Sequence, residues 1–134
     1  MINKALITGI TGMVGSHLAD YLYENTDWDI HGLIRWRSPL KNISSLIDSI
    51  NKKKRVFLHY GDLRDENSLR SLVKNIKPNY VFHLAAQSYP KTSFEASIDT
   101  YDTNIQGTER LLRALKDFSK DSYIHVCSSS EIFG

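Results

Sequence analysis

Residues 6–22 read LITGITGMVGSHLADYL, with Gly9, Gly12 and Gly15 three residues apart, between a short apolar run and a helical pattern. No other feature of the chain constrains its fold so tightly. Glycine repeats where the backbone must turn sharply, or where another group must come close to it. The spacing predicts a strand over Lys4–Thr8, a glycine turn, and a helix starting near Met13.

The rest of the chain repeats the alternation. Strands are predicted at Asp29–Arg35, Arg55–Tyr60, Asn79–Leu84 and Tyr123–Ser128. Several are apolar nearly throughout, as strands buried on both faces should be. Between them, apolar residues recur at helical spacing: Val14, Leu18, Tyr21 and Leu22; then Leu69, Leu72, Val73 and Ile76; then Ile98, Tyr101, Ile105, Leu112 and Leu115. Asp65 marks the start of the second of these helices and Pro78 follows its end. Ile43, Leu46, Ile47 and Ile50 predict a further short helix within Ser38–Asn51. Such alternation predicts an α/β fold, a parallel sheet covered by helices on both faces. Right-handed crossovers favour the doubly wound order 3-2-1-4-5, with ligands beyond the carboxyl ends of the strands.

Composition narrows the function. The 134 residues are 41% apolar and 24% charged, with 17 basic and 15 acidic side chains and a net charge of +2. That suits one globular domain and leaves no electrostatic footprint for nucleic acid or an anionic membrane. No apolar run approaches the roughly 20 residues of a membrane span, and the N-terminus does not read as a signal peptide. The basic run Lys52–Arg55 reads as a solvated turn before a strand. A single cysteine, Cys127, forms no internal disulfide, which fits a reducing, cytoplasmic setting. It lies in an apolar run and is expected to be a small core residue. No metal site is expected.

The glycines can be read chemically. A helix N-terminus carries unpaired N–H groups and partial positive charge, so it suits a phosphate. Gly9 would allow the tight turn, Gly12 the approach of a pyrophosphate, and Gly15 the close packing of helix on sheet. Placed between a first strand and an amphipathic helix, the motif predicts a dinucleotide site, with Thr11, Met13 and Val14 counted beside the glycines. A glycine turn without a ligand is the plainer alternative; the absence of Gly-Lys-Ser/Thr argues against a nucleoside-triphosphate loop. A NAD-selective site carries an acid at the end of strand two, about 20 residues on. Here that strand runs into Arg35-Trp36-Arg37-Ser38. Guanidinium groups pair well with a 2′-phosphate. Arg35 and Arg37 therefore predict NADP in preference to NAD, unless they are simply solvated loop residues.

With Thr8 before it, the Gly-x-x-Gly-x-x-Gly stretch TGITGMVG resembles the extended branch of the short-chain dehydrogenase/reductase superfamily, the NAD-dependent epimerase/dehydratase family. YGDL at 60–63, LAAQS at 84–88, NIQGTERLL at 104–112 and SSSEIFG at 128–134 follow in order, so the resemblance spans nearly the whole chain. HYGDL, AAQS and SSSE look most like the GDP-mannose 4,6-dehydratases and related sugar-nucleotide enzymes. The resemblance implies a Rossmann-type sheet with Asp62 and Leu63 at the adenine and Leu84, Ala85 and Ala86 beside the pyrophosphate and ribose. It sets Ser88 and Tyr101 along the nicotinamide half. Ser129 stands for the threonine that hydrogen-bonds the sugar's 4-oxygen, and Glu131 for the carboxylate that removes the C5 proton. Plainer roles stay open: a turn cap for Asp62, helix core for Tyr101, a serine-rich turn for residues 128–130.

The implied reaction is an internal redox cycle on a nucleotide sugar, in which hydride leaves C4, water is lost across C5 and C6, and hydride returns to C6. Two departures stand out: Trp36 interrupts the family's arginine-serine pattern, and Asn104 stands where these dehydratases usually carry Asp. None of the 7 tyrosines has a lysine four residues on. The family's Tyr-x-x-x-Lys pair, which would start the oxidation, is expected beyond SSSE. Residues 1–134 are therefore expected to be the N-terminal, cofactor-binding part of a larger homo-oligomeric enzyme, without turnover alone. A 4-keto-sugar reductase or epimerase of the same branch, and a non-catalytic NADP-binding module, are the alternatives.

Overall fold

The computed structural model describes residues 1–133; Gly134 and the side chain of Glu131, the expected base, lie outside the described residues. Five parallel strands form one sheet in the order β3-β2-β1-β4-β5, as predicted. They are β1 (Lys4–Thr8), β2 (Asp29–Ile34), β3 (Val56–Tyr60), β4 (Tyr80–His83) and β5 (Tyr123–Val126). The helices are α1 (Met13–Asn25), α2 (Ile47–Asn51), α3 (Glu66–Ile76), α4 (Pro90–Glu95), α5 (Ser97–Tyr101) and α6 (Gly107–Phe118). A 3-10 turn over Lys41–Leu46 leads into α2, so the short helix expected there forms in two pieces. None of the helices among the described residues is long and apolar enough to cross a membrane.

The central strand β1 pairs with both β2 and β4, and helices cover both its faces. On one side, Leu6, Leu33 and Val81 meet Leu69, Leu72, Val73 and Ile76 of α3 and Leu111, Ala114 and Leu115 of α6. On the other, Ala5, Ile7 and Ile30 meet Ala19 and Leu22 of α1, with Ile43 and Leu46 from the 3-10 turn. The predicted stripe of α3 is thus the buried one. Its start is fixed by Asp65, whose side chain accepts from the Asn67 and Ser68 amides, and its end by Lys77 in the left-handed region.

Other expectations need correction. In α1, Val14 and Tyr21 are exposed while Gly15, Ser16, Ala19 and Leu22 are buried. Its glycine side is pressed against the preceding turn, and that contact sets the helix's rotation. The third stripe is not one face. A π turn over Asp102–Gln106 separates α5 from α6 and shifts the phase, so Ile98, Tyr101, Ile105 and Leu112 are exposed and Leu115 alone of the five is buried. Cys127 is exposed, because the edge strand β5 that precedes it is exposed along its length. Arg55 is no solvated charge: its guanidinium donates to the carbonyls of Tyr23, Thr26 and Trp28 and lies 4.8 Å from the Tyr23 ring centroid.

On the neighbouring strands β2 and β3, His31 and His59 approach to 3.0 Å between ring nitrogens, and His31 stacks on Phe57. His31 Nε2 is buried without a hydrogen-bond partner. Burial, then the charges of His59 and Lys4, push the His31 pKa down to about 4. An imidazole with a lowered native pKa contributes stability that is full above the unfolded value and falls away on acidification. Urea midpoints are therefore expected to drop from about pH 6.5 towards 4, less steeply in His31→Phe. Asp65→Ala is expected to cost about 1 kcal/mol in the same denaturation measurement, the usual worth of an N-cap.

Candidate functional site

A cleft of about 630 Å³ opens where β1, β2, β3 and β4 end, beside the switch in strand order. Its floor is the turn from β1 to α1. Gly9 turns the chain at φ +79°, and a Cβ there would lie 2.9 Å from the Ala85 amide nitrogen. A Cβ on Gly15 would run into the Gly9 carbonyl group, 2.9 Å from its carbon. A Cβ on Gly12 would meet only the Gly9 oxygen, at 3.2 Å, and otherwise open space. Gly12 is the N-cap of α1, with no side-chain cap and no acid in the first turn. The contrast with α3, which caps itself with Asp65, is sharp. The α1 end thus keeps its positive dipole facing a cradle that side chains would fill, so these residues fit a phosphate group. Thr11, Met13 and Val14 line the same floor, and Asn42 donates to the Thr11 carbonyl at 2.9 Å to hold it.

One wall follows β2. The Arg35 amide donates to Ser38 Oγ at 3.1 Å and the Ser38 amide to the Arg35 carbonyl at 3.0 Å, closing a tight turn. Arg35 and Ser38 line the cleft. Arg37 does not; it lines an adjoining hollow with Arg35, Trp36 and Asp62. The exposed Trp36 ring lies 5.1 Å from that of Tyr60.

Asp62 and Leu63 follow β3 and also line the cleft. Leu63 is at the same time a buried member of the α3–α6 core. Asp62 accepts from the Arg64 backbone amide at 2.9 Å and from its guanidinium, whose other arm reaches Asp99 at 2.7 Å. Burial alone would raise the Asp62 pKa; hydrogen bonds and charge from Arg64, with Arg35 further off, outweigh it and hold the carboxyl below its ordinary range.

The opposite wall is Leu84, Ala85, Ala86 and Ser88, which follow β4. Asn104, inside the π turn, grips this wall from behind. Its Oδ1 accepts from the Gln87 amide at 2.8 Å and its Nδ2 donates to the Gln87 carbonyl at 2.9 Å. Tyr101 is exposed and borders a hollow beside Arg64 and Asp99, outside the cleft lining. Ser129 is not among the cleft's lining residues either. It precedes a 3-10 turn over Ser130–Phe133.

Sequence reasoning missed Arg64, Asp99, Asn42 and the bridging role of Asn104. The Asp62-x-Arg64 pair carries a local signal, two opposite charges at a strand end. Asn42 and Asp99 carry none, since their partners are distant in sequence.

A family model described as GDP-mannose 4,6 dehydratase matches residues 6–134. The GDP-mannose 4,6-dehydratase of Yersinia enterocolitica is 40% identical over 99% of this chain and 37% of its own length. GDP-mannose 4,6 dehydratase 1 of Arabidopsis thaliana is 42% identical over 97% of the chain and 38% of its own length. The chain thus spans little more than a third of these relatives. Among solved structures, the UDP-glucose 4-epimerase of Thermus thermophilus in complex with NAD superposes with a TM-score of 0.72 at 26% identity, over 86% of this chain and 34% of that one. With a glycine cradle at the head of α1 and a family match running almost from end to end, this chain belongs to the GDP-mannose 4,6-dehydratase family.

Proposed function

We propose that this chain forms the cofactor-binding part of an NADP-dependent sugar-nucleotide 4,6-dehydratase acting on GDP-mannose. The observation that carries the reading is the uncapped N-terminus of α1 facing a glycine-lined cradle. The pyrophosphate is assigned to the α1 amides, with Gly12 letting it approach. Asp62, held by Arg64, is assigned to accept from the exocyclic amine of adenine. Leu84, Ala85 and Ala86 are assigned to the pyrophosphate and ribose side and Ser88 to the nicotinamide half; Tyr101, outside the cleft lining, is given no cofactor contact. Arg35 and Arg37 stand in a turn whose own residues include no acid, and the nearby Asp62 is already paired with Arg64; we assign the two arginines to a 2′-phosphate.

When bound, the dinucleotide supplies a hydride acceptor for C4 of the hexose and a donor for C6. Ser129 is assigned to hold the 4-oxygen, and Glu131 to take the C5 proton once a C4 ketone has acidified it. The base that starts the oxidation is assigned to a Tyr-x-x-x-Lys pair outside these 134 residues. We further assign the intact protein to the cytoplasm and to a homo-oligomer.

Calorimetric titration of the chain is expected to give tighter binding of NADP⁺ than of NAD⁺. Arg35→Ala should weaken NADP⁺ at least about tenfold and leave NAD⁺ unchanged, because a hydrogen bond to a charged group contributes roughly 1.5–3 kcal/mol and about 1.4 kcal/mol is tenfold. Binding of neither dinucleotide, or a preference for NAD⁺, overturns the assignment. The chemistry is read in a chimera that carries this chain in place of the matching stretch of the Yersinia dehydratase. It should turn GDP-mannose into a 4-keto-6-deoxy sugar without net NADPH use, and Glu131→Gln should slow it by a factor of about 100 or more. Net NADPH consumption would mark a reductase, and an inverted sugar an epimerase.

A further inference from the structure

His83 closes β4 and is buried, yet none of the roles assigned above uses it. Its Nδ1 lies 2.7 Å from Thr8 Oγ1, and its Nε2 lies 2.9 Å from Thr108 Oγ1. Hydrogen-bond bookkeeping orients the whole chain of groups. Thr8 Oγ1 accepts from the Ala85 amide and shares the Leu84 amide with the Thr8 carbonyl, each at 3.2 Å. Both donors approach its lone pairs, which leaves its single proton for Nδ1. A neutral imidazole then carries its proton on Nε2 and donates to Thr108, whose own proton goes to the Asn104 carbonyl at 2.7 Å. Every proton has one consistent place. The opposite tautomer would crowd three donors onto Thr8 and strip Thr108 of its donor.

The run of bonds joins three elements. Thr8 ends β1 and leads into the Gly9 turn, which packs against the Leu84–Ala85 backbone. Thr108 stands in the first turn of α6, directly after the π turn whose Asn104 grips Gln87. The floor of the cradle and the β4 wall are thereby braced against one helix.

We propose that His83 is a positioning residue: a neutral imidazole protonated on Nε2 that struts α6 against the β1 turn and the 84–86 wall, holding the cleft open to its ligand. What that ligand is rests on the dinucleotide reading; the strut does not. Burial of the ring favours the neutral form and agrees with it.

The test uses the whole chain without ligand. Long-range proton–nitrogen NMR at neutral pH is expected to find His83 Nδ1 unprotonated and Nε2 protonated; the reverse tautomer, or an imidazolium, overturns the proposal. Amide hydrogen exchange at Leu84 and Ala85 should speed at least about tenfold in Thr108→Val and return to the original rate in Thr108→Ser, while Leu72 in α3 is unchanged. Equal exchange in all three proteins overturns it, and so does a Ser variant that behaves like Val. NADP⁺ affinity should follow the same order. If the exchange pattern appears and no dinucleotide binds, the strut stands and the cofactor reading falls.

Discussion

Gly15 sits against the Gly9 carbonyl with no room between them for a methyl group, and α1 is drawn down onto the end of β1 until backbone touches backbone. Much follows from that contact. It turns the small residues of α1 towards the sheet and the larger Val14 and Tyr21 away from it. It also aims the positive end of the helix at the strand ends, where no side chain caps it. On its other side the same turn rests on the Leu84–Ala85 backbone, so the geometry of the cradle and of the β4 wall is set together.

The two helices that begin at the rim of the sheet show how local chemistry separates a structural end from a receptive one. Asp65 satisfies the first amides of α3 and closes that helix to outside partners. Gly12 offers α1 nothing of the kind. Nearby acids are answered within the protein: Arg64 spans Asp62 and Asp99. These partly exposed pairs add little stability. Their effect is to fix direction.

Much of this was legible in the sequence. The glycine turn, the α3 cap and the strand order each depend on a local pattern or a general rule of topology. The failures have common physical causes. The rotation of α1 is set by a backbone contact that apolar periodicity does not register. The third stripe broke because the π turn displaces the residues after Asp102, and no residue type announces such a turn. Cys127 looked buried because its neighbours are apolar, although β5 is an edge strand. Arg55 looked solvated because its three carbonyl partners belong to the end of α1 and the loop beyond it. In the site, Arg35 stands at the cleft where strand chemistry predicted, while Arg37 and Tyr101 border neighbouring hollows.

The π turn before α6 has a wider meaning for how such a chain can change. The turn itself serves the cleft through Asn104, and the helix below it serves the core through Leu111, Ala114 and Leu115. Turn and helix meet at Thr108, so a change in how the helix packs reaches the cleft by way of one hydroxyl.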